Sequence, residues 1–145
     1  KCIRLVKPGG RIAIVLPQGN LNNPTSEFLR NFIFDQCRLL GCVGLRENTF
    51  RPFTPTKTSV VLLQKWKSEK EKTTDYNIFM ADSEKPGKDN SGNYIYLKDK
   101  DGNFINEKKQ IIDVLKTPRV VDHDLDQIID EFDNFKKKEK INFNE

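Results

Sequence analysis

Glu47-Asn48-Thr49-Phe50-Arg51-Pro52-Phe53-Thr54-Pro55-Thr56-Lys57-Thr58-Ser59-Val60-Val61-Leu62-Leu63-Gln64-Lys65 is the stretch from which the fold is read. It has three parts. Residues 47–55 are a polar run, punctuated by prolines, that carries Phe50 and Phe53. A shoulder of threonine, lysine and serine comes next. Residues 60–63 are apolar and partly β-branched, as a buried strand requires. Pro52 and Pro55 keep the run ahead of that strand out of helix and restrict its direction. Two aromatic rings on such a loop either tuck back under a core or wait for a flat ligand.

Toward the N-terminus, residues 39–45 are a second apolar run with strand character. Before it, Phe28, Leu29, Phe32, Ile33 and Cys37 recur at helical spacing, which predicts an amphipathic helix over 25–37. Asn23 is placed to cap it, with Pro24 in the first turn. Residues 18–23 read as a polar loop. Residues 12–16 read as a buried strand, entered through Pro8-Gly9-Gly10 and closed by Pro17. Residues 2–7 read as the end of a helix. The order is strand, helix, strand, long loop, strand. A helix between the first two strands predicts a parallel, right-handed crossover. A loop alone between the last two predicts an antiparallel pair.

From Lys67 the texture changes. Residues 68–74 are a charged linker, and residues 76–80 are a short strand candidate. Asp89-Asn90-Ser91-Gly92-Asn93 and Asp101-Gly102-Asn103 are turn clusters, and residues 94–106 read as a small hairpin. Asp99-Lys100-Asp101-Gly102 has part of a calcium-loop pattern. The register, however, puts Leu97 where the first acidic ligand belongs, and the closing glutamate is missing. Leu125, Ile128, Ile129, Phe132 and Phe135 predict a helix over 124–138, with acids at its start and Lys136 to Lys140 at its end, in line with the helix dipole. Those lysines read as a solvated helix end, with a phosphate contact as the alternative. His123, the only histidine, has no serine or cysteine partner at a recognisable spacing and reads as a surface or capping residue.

The chain has 145 residues, enough for one modest domain or part of a larger one. It starts at Lys1 with its only methionine at Met80, and is read as beginning inside a gene product or after processing. A net charge of +4 permits a nucleic-acid partner without demanding one. Cys2, Cys37 and Cys42 are odd in number and lack CxxC spacing, which argues against a disulfide framework or a zinc site and for reduced thiols. No apolar run approaches the roughly 18 residues of a membrane span, and no signal peptide is visible. The expected location is cytoplasmic.

The run ENTFRPFTPTKTSV, residues 47–60, resembles a segment of the N6-adenine DNA methyltransferases. It is most similar to the modification subunit of type I restriction-modification systems, where such a run leads into the last strand pair of the catalytic sheet. KPGGRIAIVLPQGNLNNP, residues 7–24, resembles the same subunits. So do the turn-rich GKDNSGN at 87–93 and VDHDLDQIIDEF at 121–132. The resemblance implies an α/β fold: the C-terminal portion of a class I (Rossmann-like) methyltransferase sheet, here three-stranded, with the final strand inserted between the other two. Residues 1–66 would be the C-terminal half of the catalytic domain, 67–118 a polar, hairpin-containing insert, and 119–145 a C-terminal helix and basic tail.

By resemblance, the parent protein transfers a methyl group from S-adenosylmethionine to adenine N6 in double-stranded DNA, beside specificity and restriction subunits. A glycine-rich cofactor loop and an Asp/Asn/Ser-Pro-Pro-aromatic tetrapeptide are absent from the sequence, and by family order would lie upstream of Lys1. The chain alone is therefore expected to hold no catalytic residue, to bind the cofactor weakly and to be inactive. A base modified at N6 must leave the stack, and it needs apolar faces on both sides. Phe50 matches the family's loop aromatic, with Phe53 as the alternative. Arg51, Lys57 and Thr58 could position phosphates. The bland reading is that Phe50 packs under the strands and the cations are solvated. Two other functions stay open: a non-catalytic assembly module, and a small-molecule or RNA methyltransferase of the same fold. The strand at 12–16 would be a bare edge, prone to self-association.

Overall fold

The computed structural model of the chain describes residues 1–141. Its helices are α1 (Cys2–Leu5), α2 (Gln18–Asn22), α3 (Glu27–Gln36) and α4 (Leu125–Lys138). Its strands are β1 (Arg11–Pro17), β2 (Cys37–Leu45), β3 (Thr58–Lys65) and β4 (Phe79–Asp82), in the spatial order β1-β3-β2-β4. β3 runs antiparallel to both neighbours, with Thr58 opposite Pro17 on one side and Leu45 on the other. β1 and β2 therefore point the same way, as the helical crossover between them requires. The architecture is mixed α/β, with the last of the three expected strands in the middle.

The structure corrects two expectations. The sheet has four strands, because β4 pairs in parallel with β2 from Gly41 opposite Phe79 to Gly44 opposite Asp82. The polar stretch at 18–23, expected as loop, forms α2 through Asn22. Asn23 does act as a cap, its Oδ1 accepting from the Thr25 amide at 3.0 Å. It caps a single 3-10 turn, which then leads into α3.

Adjacent side chains on a strand point to opposite faces, and β3 uses both. Val61 and Leu63 join Cys37 in a core beneath the N-terminal helices, with Ile3, Leu21 and Ile33 packed against it. Val60 faces the other way, onto a core of Val43, Leu45 and Phe79 that α4 covers. The Phe79 ring lies 5.1 Å from that of Phe132 and 5.7 Å from that of Phe135. One turn of α4 thus clasps β4. All three cysteines are free thiols.

The insert between β4 and α4 is built of tight turns. Asp89 Oδ1 accepts from the amides of Ser91 at 2.8 Å and Asn93 at 2.9 Å. Asp99 Oδ1 accepts in the same way from Asp101 and Asn103, and Asn106 Oδ1 from the Gln110 amide. Gly92, Gly102 and Lys109 take the positive φ that each turn needs. Hydrogen bonds from Asn103, its side chain foremost, outweigh burial and hold the Asp99 carboxyl below the usual range. That carboxylate is turned into its own loop, and the described residues contain no cluster able to hold a metal ion. His123 is half-buried. Its backbone bridges to Pro86, because the strand-like segment it ends is zipped against the insert.

Asp124 ties β4 to α4. Its carboxylate accepts from Ser83 Oγ at 2.6 Å and from the amides of Glu84 at 2.6 Å and Lys85 at 3.1 Å. Burial opposes its ionisation, but these hydrogen bonds outweigh burial and hold the carboxyl below the usual range. Asp124→Ala is expected to cost about 1–2 kcal/mol, since the group is partly solvated. A folded-state pKa below the unfolded one makes this contribution complete above about pH 4 and lost as the pH falls through the lower folded value. Urea titrations of wild type and variant should therefore converge in acid. A constant gap down to the acid limit would refute the assignment.

Candidate functional site

β1, β2 and β4 end at one edge of the sheet, where β3 begins. Open α/β sheets bind ligands outside the carboxyl ends of their strands. The connection from β2 to β3, residues 46–57, hangs over this edge. The Gln18 amide, just past β1, donates to the Lys57 carbonyl at 2.9 Å and fixes its far end. Within it, turns succeed one another: the amides of Thr49, Arg51 and Phe53 donate to the carbonyls of Arg46, Asn48 and Phe50. The Arg51–Pro52 peptide is cis.

The structure separates the five candidate residues. Phe53 is 92% exposed and Phe50 is 36% exposed, at the margin between packed and free. Arg51 is half-buried, its Nε without a hydrogen-bond partner among the described residues. Lys57 is exposed and lines a polar hollow of about 380 Å³ with Arg46, Glu47, Asn48, Glu84 and Pro86. Thr58 is 7% exposed, closed in between Pro17 and Leu45. The two rings and Lys57 thus reach solvent at this edge, while Thr58 anchors the loop to the sheet.

A second hollow, of about 340 Å³, opens at the same edge on the α2 side, lined among others by Gln18, Asn22, Cys42, Ser59 and Asp82. Burial pushes the Cys42 thiol up, a hydrogen bond with Ser59 opposes this, and the Asp82 charge adds to it. Burial likewise pushes up the Cys37 thiol, with Lys65 opposing. At both positions burial favours the neutral thiol. Two aromatic rings and one lysine reach solvent at this edge.

Sequence reasoning missed the partner of the phenylalanine loop. The first aspartate turn lies directly against it. Asn48 Nδ2 donates to Asn90 Oδ1 at 2.9 Å, and Lys88 Nζ donates to the Arg51 carbonyl at 3.0 Å. Gly92 is so close that a Cβ there would sit 2.7 Å from Pro52 N and 2.9 Å from the Arg51 carbonyl carbon. A turn signal at 89–93 is legible in the sequence. Its contact with a loop about 40 residues away leaves no local pattern.

Gly92 and Gly102 give a controlled pair. Both have positive φ, but a Cβ on Gly102 meets nothing within 4 Å. Gly102→Ala is expected to cost about 1–2 kcal/mol of backbone strain. Gly92→Ala should cost about 1–3 kcal/mol more, because overpacking adds to the strain. It should also open residues 46–57 to limited proteolysis. Equal unfolding midpoints for the two variants would contradict the contact.

Comparison with known proteins places the chain. No curated protein matches it. Among solved structures it is similar to one from Listeria monocytogenes assigned to the class I S-adenosylmethionine-dependent methyltransferases, at 20% identity and a TM-score of 0.45, covering 55% of this chain and 24% of that one. It is also similar to a modification subunit assigned to a type I restriction enzyme of Vibrio vulnificus YJ016, at 16% identity and a TM-score of 0.45, covering 94% and 23%. A chain of a type I restriction-modification system gives 25% identity and a TM-score of 0.38, covering 41% and 12%. The chain thus spans a quarter or less of the length of each. The sequence model of the N-6 DNA Methylase family matches residues 1–144, and the chain belongs to that family.

Proposed function

We propose that this chain is the target-base side of an adenine-N6 DNA methyltransferase, the C-terminal part of the methylase domain of a type I modification subunit. The observation that carries the reading is the loop at 46–57. It sits at the carboxyl edge of the sheet and holds an exposed Phe53 next to a half-packed Phe50. A base that must leave the duplex to react needs apolar faces to receive it. The two rings supply such faces, and Arg51 and Lys57 supply charge for the flanking phosphates. Specificity and restriction subunits are the expected companions. Among the described residues no helix is long and apolar enough to cross a membrane.

S-adenosylmethionine is the methyl donor that family membership implies. The residues at this edge do not fit it. Among the described residues no glycine-rich loop comes after a strand, and Gly44, which opens on the second hollow, has its space taken by the Asp82 carboxylate. The residues that hold the cofactor are assigned to other parts of the parent enzyme. The outer edge of β1 has no strand beside it among the described residues. An apolar trough of about 450 Å³ nearby, lined by Ile12, Ile14, Leu16, Phe32 and Leu63 among others, has the character of an internal surface. Further strands of the parent sheet would cover it. In the isolated chain the same edge would pair with a second copy.

Base–aromatic stacking contributes roughly 1–3 kcal/mol per base. Phe53→Ala and Phe50→Ala, each in the full-length subunit with its partners, should weaken binding to duplex DNA with an extrudable base at the target position by that amount. Thermal unfolding should hardly move. Unchanged affinity and turnover in both variants would defeat the reading. Gross unfolding of Phe50→Ala alone would return that ring to the core and leave Phe53 as the stacking partner.

A further inference from the structure

Resting on the reading that the phenylalanine loop meets the target base, we infer that the turn at 88–93 is a positioning element for that loop, with Lys88, Asn90 and Gly92 its working residues. The loop is a long connection between two strands at an open edge, and most of its own hydrogen bonds are local turns. A ring on a freely moving connection would lose much of its stacking free energy to the cost of ordering the loop. The turn removes that cost in advance. It holds the loop by a side-chain amide at Asn48, by an ammonium on the Arg51 carbonyl, and by close backbone packing at Arg51–Pro52. These three contacts bracket Phe50 and end one residue before Phe53.

The turn is itself held. The Asp89 carboxylate accepts from the amides inside it. Lys88 bridges to Tyr94, and its ammonium also lies 5.2 Å from the centre of that ring. The Ile95 amide donates to the Gly87 carbonyl, and Pro86 bridges to His123, next to the Asp124 tie that fixes the end of β4. A continuous path of contacts therefore leads from the sheet to the loop. The turn at 99–103 has the same internal hydrogen bonds, but nothing lies within 4 Å of where a Cβ on Gly102 would be. It is a built-in control for the effect of turn chemistry alone.

The test uses the full-length subunit with its partner subunits; extrusion is read as fluorescence on DNA carrying 2-aminopurine in place of the target adenine, and kcat is read on the unsubstituted duplex, because 2-aminopurine has no N6 amino group to methylate. Lys88→Met should lower both the extrusion signal and kcat about tenfold, because misplacement at a reacting centre acts on the chemical step. KM for DNA should rise no more than it does in Phe53→Ala, the unfolding temperature should stay close to wild type, and Lys88→Arg should restore most of the loss. Asn90→Ala, at an exposed side chain that bonds Asn48, should act in the same direction and serves if Lys88→Met does not fold. Asp99→Ala should be silent. Wild-type extrusion and kcat in Lys88→Met and Asn90→Ala, or equal losses in Asp99→Ala, would overturn the inference. Phe50→Ala and Phe53→Ala, run in parallel, separate the two failures. If they keep wild-type extrusion, the reading of the loop falls. If they lose it while the turn variants do not, that reading stands and the positioning role falls.

Discussion

The structure depends on β3 lying antiparallel between β1 and β2. A chain that leaves β2 and must re-enter the sheet beside it in the opposite direction has to turn back at the carboxyl end of β2. The β2–β3 connection is thereby committed to the edge where open α/β sheets bind ligands. The same strand joins the two cores, with Val61 and Leu63 on one face and Val60 on the other. Its first residue, Thr58, is buried between Pro17 and Leu45 and clamps one end of the loop to the sheet. The ring-bearing segment is a consequence of strand order before it is a binding surface.

The insert solves a different problem, since a polar sequence cannot bury much apolar area. It relies on carboxylates that close their own turns and on cations laid over rings. Arg119 lies 5.6 Å from the Tyr96 ring centre and 4.5 Å from that of Phe104, and Lys98 lies 4.8 Å from the latter. Each such contact contributes about 0.5–1 kcal/mol at exposed sites. The turns are thus linked into one run. The first turn touches the phenylalanine loop, and the Asp124 tie joins the start of the insert to α4.

Periodicity and punctuation made part of the fold legible in the sequence. β1, β2, β3, α3 and α4 were readable from apolar spacing, prolines and capping residues, and the central position of β3 from the family resemblance. The place of β4 in the sheet was not readable. Four residues at a sheet edge, one of them an exposed aspartate, carry too little pattern to show which strand they join. α2 was missed because Gln-Gly-Asn-Leu-Asn has a loop composition. Its helix is held by position, between β1 and the start of α3. At the candidate site the sequence picked out the two rings but not their relative exposure, nor the burial of Thr58. Those depend on register. The contacts of Asn48, Lys88 and Gly92 join segments far apart in the chain, and a single sequence carries no record of them.

On the proposed function, the loop at 46–57, backed by the turn at 88–93, meets target DNA. Hydrogen exchange on the full-length subunit with its partners, free and bound to duplex DNA bearing its recognition site, tests it most directly. Amides in 46–57 and 88–93 should slow together on the specific duplex and less on a duplex without the site, while those in the turn at 99–103 should not change. Unchanged exchange in 46–57 on the specific duplex, or protection at 99–103 without protection in the loop, would contradict it.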